Sequence, residues 1–260
     1  GEQVAVKVID RTRLGKAELK VVEREVAVLQ SVCHKNIMRI IDVYQTFERL
    51  YIVMEYCAGG SLHEVLENAG RLSENYAKHI IMDILKGVDH LHVEGIVHRD
   101  IKTENIICKN RDFPLHLKLA DFGFSTSLHH QDGDLDSSAR EDQLLLQSLV
   151  GSPYYIAPEV LRRQRYGRGV DIWACGVTLY RMLCGYYPFQ VLDERGAVDR
   201  NLTLEMVVQG TPDFEGPAWR KVSPDGVRFT KALLSLDRHK RPSARKALRD
   251  PWLDSVRTNS

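Results

Sequence analysis

The hydrophobic pattern of this sequence changes period at an Ala-Gly-Gly run, residues 58–60, and this change restricts the fold to two unlike parts. Before the run, three segments are predicted to be strands: Gly1–Ile9, Ile37–Tyr44 and Leu50–Glu55. Between the first two strands, apolar residues recur every three or four positions and predict a helix at about Ala17–Val32. The first part of the chain is therefore expected to be a sheet with one helix.

After the run, most apolar residues have the spacing of helices. Ser73 suits the N-cap of a long helix that extends to about Val93, and Gly95 suits its C-terminal end. Alternating leucines predict a short strand at residues 115–120. Four later helices are predicted at Val170–Cys184, Leu202–Gln209, Asp225–Leu236 and Ser243–Leu248. We therefore expect an α+β fold in which a strand-rich lobe precedes a helical lobe.

Length, charge and cysteine content restrict the class of protein. At 260 residues the chain has room for one bilobal unit or for two small domains. A net charge of +1 gives no indication of a nucleic-acid partner. Val170–Phe189 contains Asp171 and Arg181, so we expect a buried helix there and no membrane partner. Five scattered cysteines without a CxxC pair indicate a reducing compartment, and we expect a cytoplasmic location, with a nuclear one still open.

Several short motifs carry the groups that phosphoryl transfer needs, which are cations for phosphates, oxygens for Mg²⁺ and a carboxylate for the attacking hydroxyl. The segment His98–Asn105 supplies Asp100 and other polar groups within eight residues. Asp121–Gly123, an Asp-Phe-Gly sequence, begins twenty-one positions after Asp100. Val4–Lys7 places a lysine on an early strand, and the Ala-Pro-Glu sequence Ala157–Glu159 ends the region. Each motif alone is a common surface or turn sequence, but their order and spacing together indicate one site.

In these motifs the chain resembles a eukaryotic protein kinase, and the resemblance covers essentially the whole chain. It implies the bilobal protein kinase fold, with residues 1–54 as the N-terminal lobe, residues 55–60 as the hinge and residues 61–260 as the C-terminal lobe. Within the C-terminal lobe, residues 121–159 would form the activation segment. The resemblance also implies ATP and Mg²⁺ as cofactors and a protein as the substrate.

The resemblance assigns the chemistry to five residues. Asp100 would orient or accept the proton of the substrate hydroxyl, and Lys102 would steady the transferring phosphoryl group. Asn105 and Asp121 would hold Mg²⁺, and Lys7 would contact the α- and β-phosphates of ATP.

Two glutamates on the helix that follows, Glu23 and Glu25, compete for the role of partner to Lys7. We choose Glu25, because it lies nine residues before His34 of a His-x-Asn-Ile turn, as the family pattern requires. By resemblance, the adenine ring would be surrounded by two enclosing side chains, two hinge residues and a gatekeeper methionine, namely Ala5, Ile107, Glu55, Cys57 and Met54.

Further matches to the family imply structural and regulatory roles. Asp171 should accept hydrogen bonds from the catalytic-loop backbone, since a buried carboxylate needs such donors. Arg241 would form a structural ion pair with Glu159. Arg99 would clamp a phosphate on Ser148, which stands eleven residues before Glu159. Ser148 would receive that phosphate from an upstream kinase or by autophosphorylation; the alternative is a loop serine that is never modified.

Two features favour serine and threonine over tyrosine as acceptors. Lys102 stands two residues after Asp100, and Gly151–Tyr155 resembles the substrate loop of serine/threonine kinases. Gly151–Leu161 and Arg249–Leu253 are similar to the calcium-dependent and calcium/calmodulin-dependent protein kinases. We assign the chain to that group.

Three features depart from the family pattern. The glycine-rich loop that covers the phosphates would precede the strand of Lys7, where this sequence starts, and we expect truncation rather than a degenerate kinase. An acidic insertion at residues 127–147 lengthens the activation segment and would either replace phosphorylation or dock a partner. Arg181 stands where relatives that select basic substrates often have glutamate, so repulsion should weaken any preference for a substrate arginine.

The main alternative is a pseudokinase scaffold that binds partners through the kinase fold without turnover. The presence of Lys7, Asp100, Asn105 and Asp121 argues against it. A lipid or small-molecule kinase is disfavoured by the peptide-substrate loop at Gly151–Glu159.

Overall fold

A small antiparallel sheet and one helix form the N-terminal part of the fold. The structure is a computed structural model and describes residues 1–127 and 153–257. The strand order is β1-β3-β2, where the strands are β1 (Val4–Asp10), β2 (Ile40–Gln45) and β3 (Arg49–Glu55). Helix α1, Lys16–Ser31, connects β1 to β2. Because β3 pairs with both neighbours, side chains of β1 and β3 lie opposite each other in a defined register.

The second strand was predicted to begin at Ile37, but in the structure it begins at Ile40. The backbone N–H of Met38 donates to the carbonyl of Leu119 at 2.9 Å, and Ile37 forms a parallel bridge with the same residue. Ile37 and Met38 therefore connect the two lobes and do not extend the sheet. Periodicity did not separate these two roles, because apolar residues serve both.

The rest of the described chain is mainly helical. Its helices are α2 (Leu62–Ala69), α3 (Glu74–Val93), α4 (Pro158–Leu161), α5 (Gly169–Cys184), α6 (Arg200–Gln209), α7 (Pro224–Leu233), α8 (Ala244–Ala247) and α9 (Asp254–Arg257). Two short ribbons accompany them, β4 (Ile96–Val97) with β7 (Thr126–Ser127) and β5 (Ile106–Cys108) with β6 (Leu117–Leu119). A small strand-rich lobe followed by a larger helical lobe confirms the predicted α+β fold class.

Helices α3 and α5 form the centre of the helical lobe. As predicted, α3 begins after Ser73, whose hydroxyl accepts the N–H of Tyr76 at 3.4 Å, and the chain turns at Gly95 with a φ of +74°. Nearly every side chain of α5 is buried, including Trp173 and Tyr180. Burial on all sides explains why α5 is apolar around its whole circumference. None of the helices that the structure describes is both long and apolar enough to cross a membrane.

Helix α2 is missing from the sequence-based prediction. It begins after Ser61, whose hydroxyl accepts the backbone N–H of Glu64 at 3.2 Å. A serine followed by a glutamate three residues later is a helix-start signal, and this signal could have located α2. Gly60, at a φ of +73°, makes the preceding turn.

Candidate active site

The buried carboxylate of Asp171 anchors the backbone of the segment that begins at His98. Asp171 lies on α5, and its two oxygens accept the backbone N–H groups of His98 (3.0 Å) and Arg99 (2.9 Å). Nε2 of His92, on α3, lies 2.9 Å from Asp171 Oδ2. Burial by itself raises the pKa of Asp171, but these hydrogen bonds and the nearby histidines bring that pKa below its ordinary value. The segment is thereby fixed to the helical core, with Arg99 at a left-handed φ of +68°.

Asp100 has a defined orientation because two neighbouring side chains hold its carboxylate. Lys102 Nζ lies 2.8 Å from Asp100 Oδ2, and Asn105 Nδ2 donates to the same oxygen at 2.7 Å. Asn105 Nδ2 also donates to the backbone carbonyl of Asp100 at 2.9 Å. The side chains of Asp100 and Lys102 remain 15% and 24% exposed. An oriented carboxylate and a cation therefore lie side by side with access to solvent.

Asn105 and Asp121 lie at adjoining ends of β5 and β6. The backbone N–H of Ala120 donates to the carbonyl of Asn105 at 2.9 Å, which continues the β5–β6 pairing by one residue. Asp121 follows with a φ of +61° and an exposed side chain. A carboxylate and an amide oxygen suit Mg²⁺, so this donor set fits the metal. Within residues 1–127 and 153–257, no group of three His, Cys, Asp or Glu side chains could hold a metal by itself, so Mg²⁺ here would need further oxygen ligands from phosphates or water.

Lys7 forms an ion pair with Glu25 of α1. Lys7 Nζ lies 2.8 Å from Glu25 Oε1 and 3.0 Å from Oε2. The Glu25 side chain is 7% exposed and that of Lys7 is 40% exposed. Glu23, the competing candidate, is exposed on the same helix. The predicted pairing with Glu25 is therefore the one that the structure contains.

The side chains expected around the adenine ring come from three adjoining strands. Ala5 on β1 lies opposite Met54 on β3. The backbone N–H of Cys108 donates to the carbonyl of Gly60 at 2.8 Å, which attaches the end of the hinge to β5, the strand of Ile107. The segment after β3 thus connects the strand of Met54 with the strand of Ile107.

The hinge is fixed by an ion pair that the sequence did not indicate. Lys118 Nζ lies 2.6 Å from Glu55 Oε1, which also accepts the backbone N–H of Arg39 at 2.8 Å. Burial raises the pKa of the Cys57 thiol, and the Glu55 carboxylate adds to this effect. Among the described residues, neither the backbone N–H nor the carbonyl of Cys57 has a hydrogen-bond partner.

Glu159 and Arg241 form a buried, two-pronged ion pair. The two oxygen–nitrogen distances are 2.6 and 2.8 Å, and the side chains are 4% and 1% exposed. Arg241 also donates to the carbonyl of Gly169 at 3.0 Å and lies 4.9 Å from the ring centre of Trp173. This expected contact attaches the end of the activation segment to the helical lobe.

Two tyrosines at the end of the activation segment were not predicted as site residues. The Tyr155 hydroxyl lies 3.2 Å from Thr103 Oγ1 and accepts the Thr103 backbone N–H at 3.4 Å. Burial, followed by the effect of Tyr187, raises the pKa of Tyr155 well above its ordinary value. Tyr154 stacks on Tyr187 at 4.0 Å between ring centres. No local sequence signal marks these contacts, because they join residues more than thirty positions apart.

Arg181 is buried and does not present its charge to a substrate. Its side chain is 10% exposed, and Nη2 donates to Glu67 Oε1 at 3.1 Å. Nη1 donates to the carbonyls of Gly70, at 2.9 Å, and Gly185. Because the guanidinium of Arg181 is buried and paired with Glu67, the predicted repulsion of a substrate arginine lacks structural support.

Part of the predicted site lies outside the described residues. This applies to Ser148, to Gly151 and Ser152, and to the acidic insertion after Ser127. Arg99, the expected phosphate clamp, has its guanidinium carbon 5.2 Å from the ring centre of Tyr166.

Comparison with known proteins adds an independent result. The sequence matches the family described as protein kinase domain over residues 1–253. It is 40% identical over 256 residues to CDPK-related kinase 7 of Arabidopsis thaliana, covering 97% of this chain and 41% of that protein. It is 34% identical over 250 residues to calcium/calmodulin-dependent protein kinase type 1 of Macrobrachium nipponense, covering 96% and 67%. It is 33% identical over 255 residues to serine/threonine-protein kinase 33 of Bos taurus, covering 96% and 49%.

The chain spans 41% of the length of CDPK-related kinase 7 and 49% of serine/threonine-protein kinase 33, so it corresponds to one part of these relatives. The family match covers both lobes, including the ion pair of Lys7 and the anchored loop of Asp100. On this match and this fold, the chain belongs to the protein kinase family.

Proposed function

We propose that this chain is the catalytic domain of a serine/threonine protein kinase, which transfers the γ-phosphoryl group of ATP to hydroxyls of protein substrates. The observation that carries the proposal is the Asp100 carboxylate, held 2.8 Å from the Lys102 cation on a loop anchored by Asp171. Protein kinases generally use ATP and Mg²⁺. The name of serine/threonine-protein kinase 33 supports serine and threonine as the acceptors.

The proposed reaction places Asp100 at the attacking group. The substrate hydroxyl oxygen forms a bond to the γ-phosphorus of ATP while the bond from that phosphorus to the β,γ-bridging oxygen breaks, which releases ADP. Asp100 orients the hydroxyl and accepts its proton, since an oriented carboxylate is suited to that role. Lys102 offsets negative charge on the transferring group. Its ion pair with Asp100 keeps both groups in position before substrate binds.

Other residues of the chain would bind the nucleotide. Lys7, oriented by Glu25, would contact the α- and β-phosphates, and the backbone of Cys57 would hydrogen-bond the adenine ring. Asn105 and Asp121 would hold Mg²⁺, which when bound supplies positive charge that offsets the charge of the phosphates.

We also include regulation at Ser148 in the proposal. A phosphate there would be delivered by an upstream kinase or by the protein itself, and Arg99, next to Asp100, is the cation that the resemblance assigns to a phosphate clamp. Mass spectrometry of the natural protein shows whether Ser148 carries phosphate. Fully active protein with an unmodified Ser148 would contradict regulation at this residue.

A transfer assay tests the proposed activity. The full-length natural protein is incubated with Mg²⁺, γ-labelled ATP and an array of Ser-, Thr- and Tyr-containing peptides, beside an Asp100→Asn variant. We expect label on serine and threonine peptides and a loss of at least about a thousandfold in the variant, because the group that accepts the proton is gone. Equal labelling by both proteins contradicts the role of Asp100. ATP binding without labelling by either protein favours the scaffold alternative.

A further inference from the structure

An exposed basic surface covers two adjoining segments of the helical lobe that the proposed mechanism does not use. The first segment follows α4 and the second precedes Arg241, and together they form what we call the basic surface: Arg162, Arg163, Arg165, Arg168, Arg238, His239 and Lys240. Arg238 Nη1 donates to the backbone carbonyl of Arg165, and the Glu159–Arg241 ion pair joins the same segments. The two segments therefore adjoin, and all seven of these side chains are exposed.

Among the described residues, the side chains of the basic surface have no direct carboxylate partners. In the part of the chain that the structure describes, none of these seven side chains forms an ion pair with a carboxylate. Other exposed arginines do, such as Arg228 with Asp250 at 2.7 Å. Asp237 is the acidic residue within the second segment, and its Oδ1 accepts the backbone N–H of His239 at 3.0 Å. Clustered charge of one sign attracts a partner of the opposite sign.

The two segments enclose an open cleft of about 360 Å³. It is lined by Glu159, Arg162, Gln164, Leu236, Asp237, Arg238 and His239. Of the two carboxylates in this lining, Glu159 is paired with Arg241, and Asp237 accepts the backbone N–H of His239. Arg162 is held in place by donation from Nη2 to the carbonyl of Val208, and Arg238 Nε lies 3.3 Å from His239 Nε2. A guanidinium has five N–H donors, so each arginine keeps donors for a ligand after these contacts.

The shape and chemistry of the cleft favour a compact anion. Two positioned guanidinium groups match the oxygens of a phosphoryl group, which arginine binds through paired hydrogen bonds. In the described part of the chain, the lining has no Phe, Tyr or Trp on which nucleic-acid bases could stack. Insertion into a lipid surface would require protruding apolar side chains, and among the described residues Leu236 is the one aliphatic residue of the lining.

We propose that the basic surface binds a phosphorylated segment of a protein partner. The phosphoryl group lies in the cleft between Arg162 and Arg238, and acidic residues that flank it lie over Arg163, Arg165 and Lys240. This interaction is separate from phosphoryl transfer, so it holds whether or not the chain is an active kinase.

A binding assay tests this proposal. The probe is a fluorescein-labelled peptide with one phosphoserine flanked by aspartates and glutamates, and its unphosphorylated form is the comparison. We expect fluorescence anisotropy to show that phosphorylation strengthens binding about tenfold, since charge-assisted hydrogen bonds add to general attraction. The double variant Arg162→Gln/Arg238→Gln should remove that gain. A matched control, Arg220→Gln/Lys221→Gln, removes equal charge from exposed residues elsewhere and should keep it.

A second variant protects the test against misfolding, because Arg162 and Arg238 also hydrogen-bond the backbone. This variant is Arg163→Gln/Arg165→Gln/Lys240→Gln, and its changed side chains lie outside the cleft. It should weaken binding of the phosphorylated and the unphosphorylated peptide about equally. Equal binding of both peptides to the unaltered protein, or full binding by both cleft and surface variants, overturns the proposal. It is also overturned if single-stranded RNA or phosphatidylserine vesicles bind more tightly than the phosphopeptide through the same arginines.

Discussion

At the scale of single residues, the candidate active site depends on charged side chains that are held by fixed partners. The Glu25 carboxylate is nearly buried, whereas its partner Lys7 is 40% exposed and free to contact a ligand. The same division holds at Asp171, which is buried, and the loop of Asp100, which reaches solvent. A buried carboxylate that holds an exposed group fixes the orientation of that group, while the group itself stays accessible to a ligand.

The two glutamates of α1 allow a matched test of this arrangement. Replacing Glu25 with Gln should lower kcat/KM for ATP about tenfold or more, because a neutral amide no longer orients the Lys7 charge. Glu23→Gln removes the same charge from an exposed position of the same helix and should change the rate less than about twofold. Steady-state kinetics of the natural protein measure both, and equal losses would show that only the helix charge matters.

At the scale of helices and strands, one carboxylate joins three elements of the helical lobe. Glu74, in the first turn of α3, accepts the backbone N–H and the hydroxyl of Ser223 at 2.8 and 2.6 Å. It also accepts the indole N–H of Trp252 at 2.5 Å. Ser223 is itself the N-cap of α7. One side chain therefore holds together the start of α3, the start of α7 and the turn of Trp252 that precedes α9.

Removal of this carboxylate should destabilise the fold in a pH-dependent manner. Glu74→Ala should lower the free energy of unfolding by about 2 kcal/mol at neutral pH, because it leaves three donors without their acceptor. Burial raises the pKa of Glu74, but the hydrogen bonds of Ser223 and Trp252 outweigh it and bring the pKa below the ordinary 4.5. The ionised form therefore stabilises the fold above pH 4.5, and this contribution is lost as the pH falls through the lower folded value.

Urea unfolding of the wild type and Glu74→Ala at several pH values measures this difference. Glu94→Ala, which removes an exposed glutamate at the other end of α3, serves as the control and should change stability by less than about 0.5 kcal/mol. A difference between the wild type and Glu74→Ala that is constant down to acid pH would contradict the assigned role of the carboxylate.

At the scale of the whole molecule, a short segment between α1 and β2 connects the lobes. The carbonyl of Asn36 accepts the backbone N–H of Leu119 at 2.9 Å, and Asn36 Nδ2 donates to the carbonyl of Leu117 at 3.0 Å. Helix α3 comes close to this junction at Gly87. A Cβ there would lie 2.9 Å from the Asn36 carbonyl oxygen and 2.9 Å from Leu119 Cδ1. The close approach of α3 to the segment that connects the lobes thus requires a residue without a Cβ at position 87.

Gly87→Ala should destabilise the protein by about 1–2 kcal/mol, although alanine favours helices more than glycine does. The leucine methyl can move, but the Asn36 carbonyl cannot move without loss of its hydrogen bond to Leu119. Thermal unfolding compares this variant with Gly167→Ala, where an added Cβ meets nothing within 4 Å. A melting temperature of Gly87→Ala equal to that of the wild type would show that α3 and the junction can separate without penalty.

The sequence by itself determined the fold class, the long helix after Ser73 and the order of the kinase motifs, because these depend on periodicity and on residues close together in the chain. The resemblance to the family singled out Glu25, through its spacing from His34. Helix α2 was overlooked although Ser61 and Glu64 signal its start. Only the tertiary structure revealed the Lys118–Glu55 ion pair.

Only the tertiary structure also revealed the buried guanidinium of Arg181, the three-way contact of Glu74 and the basic surface. Each joins residues that packing alone brings together, such as Glu74 with Trp252 and Arg165 with Arg238. A lysine or arginine in a local pattern reads as solvent-exposed, and its partner is decided by which elements pack against it. That packing depends on long-range burial, which no local window of the sequence contains.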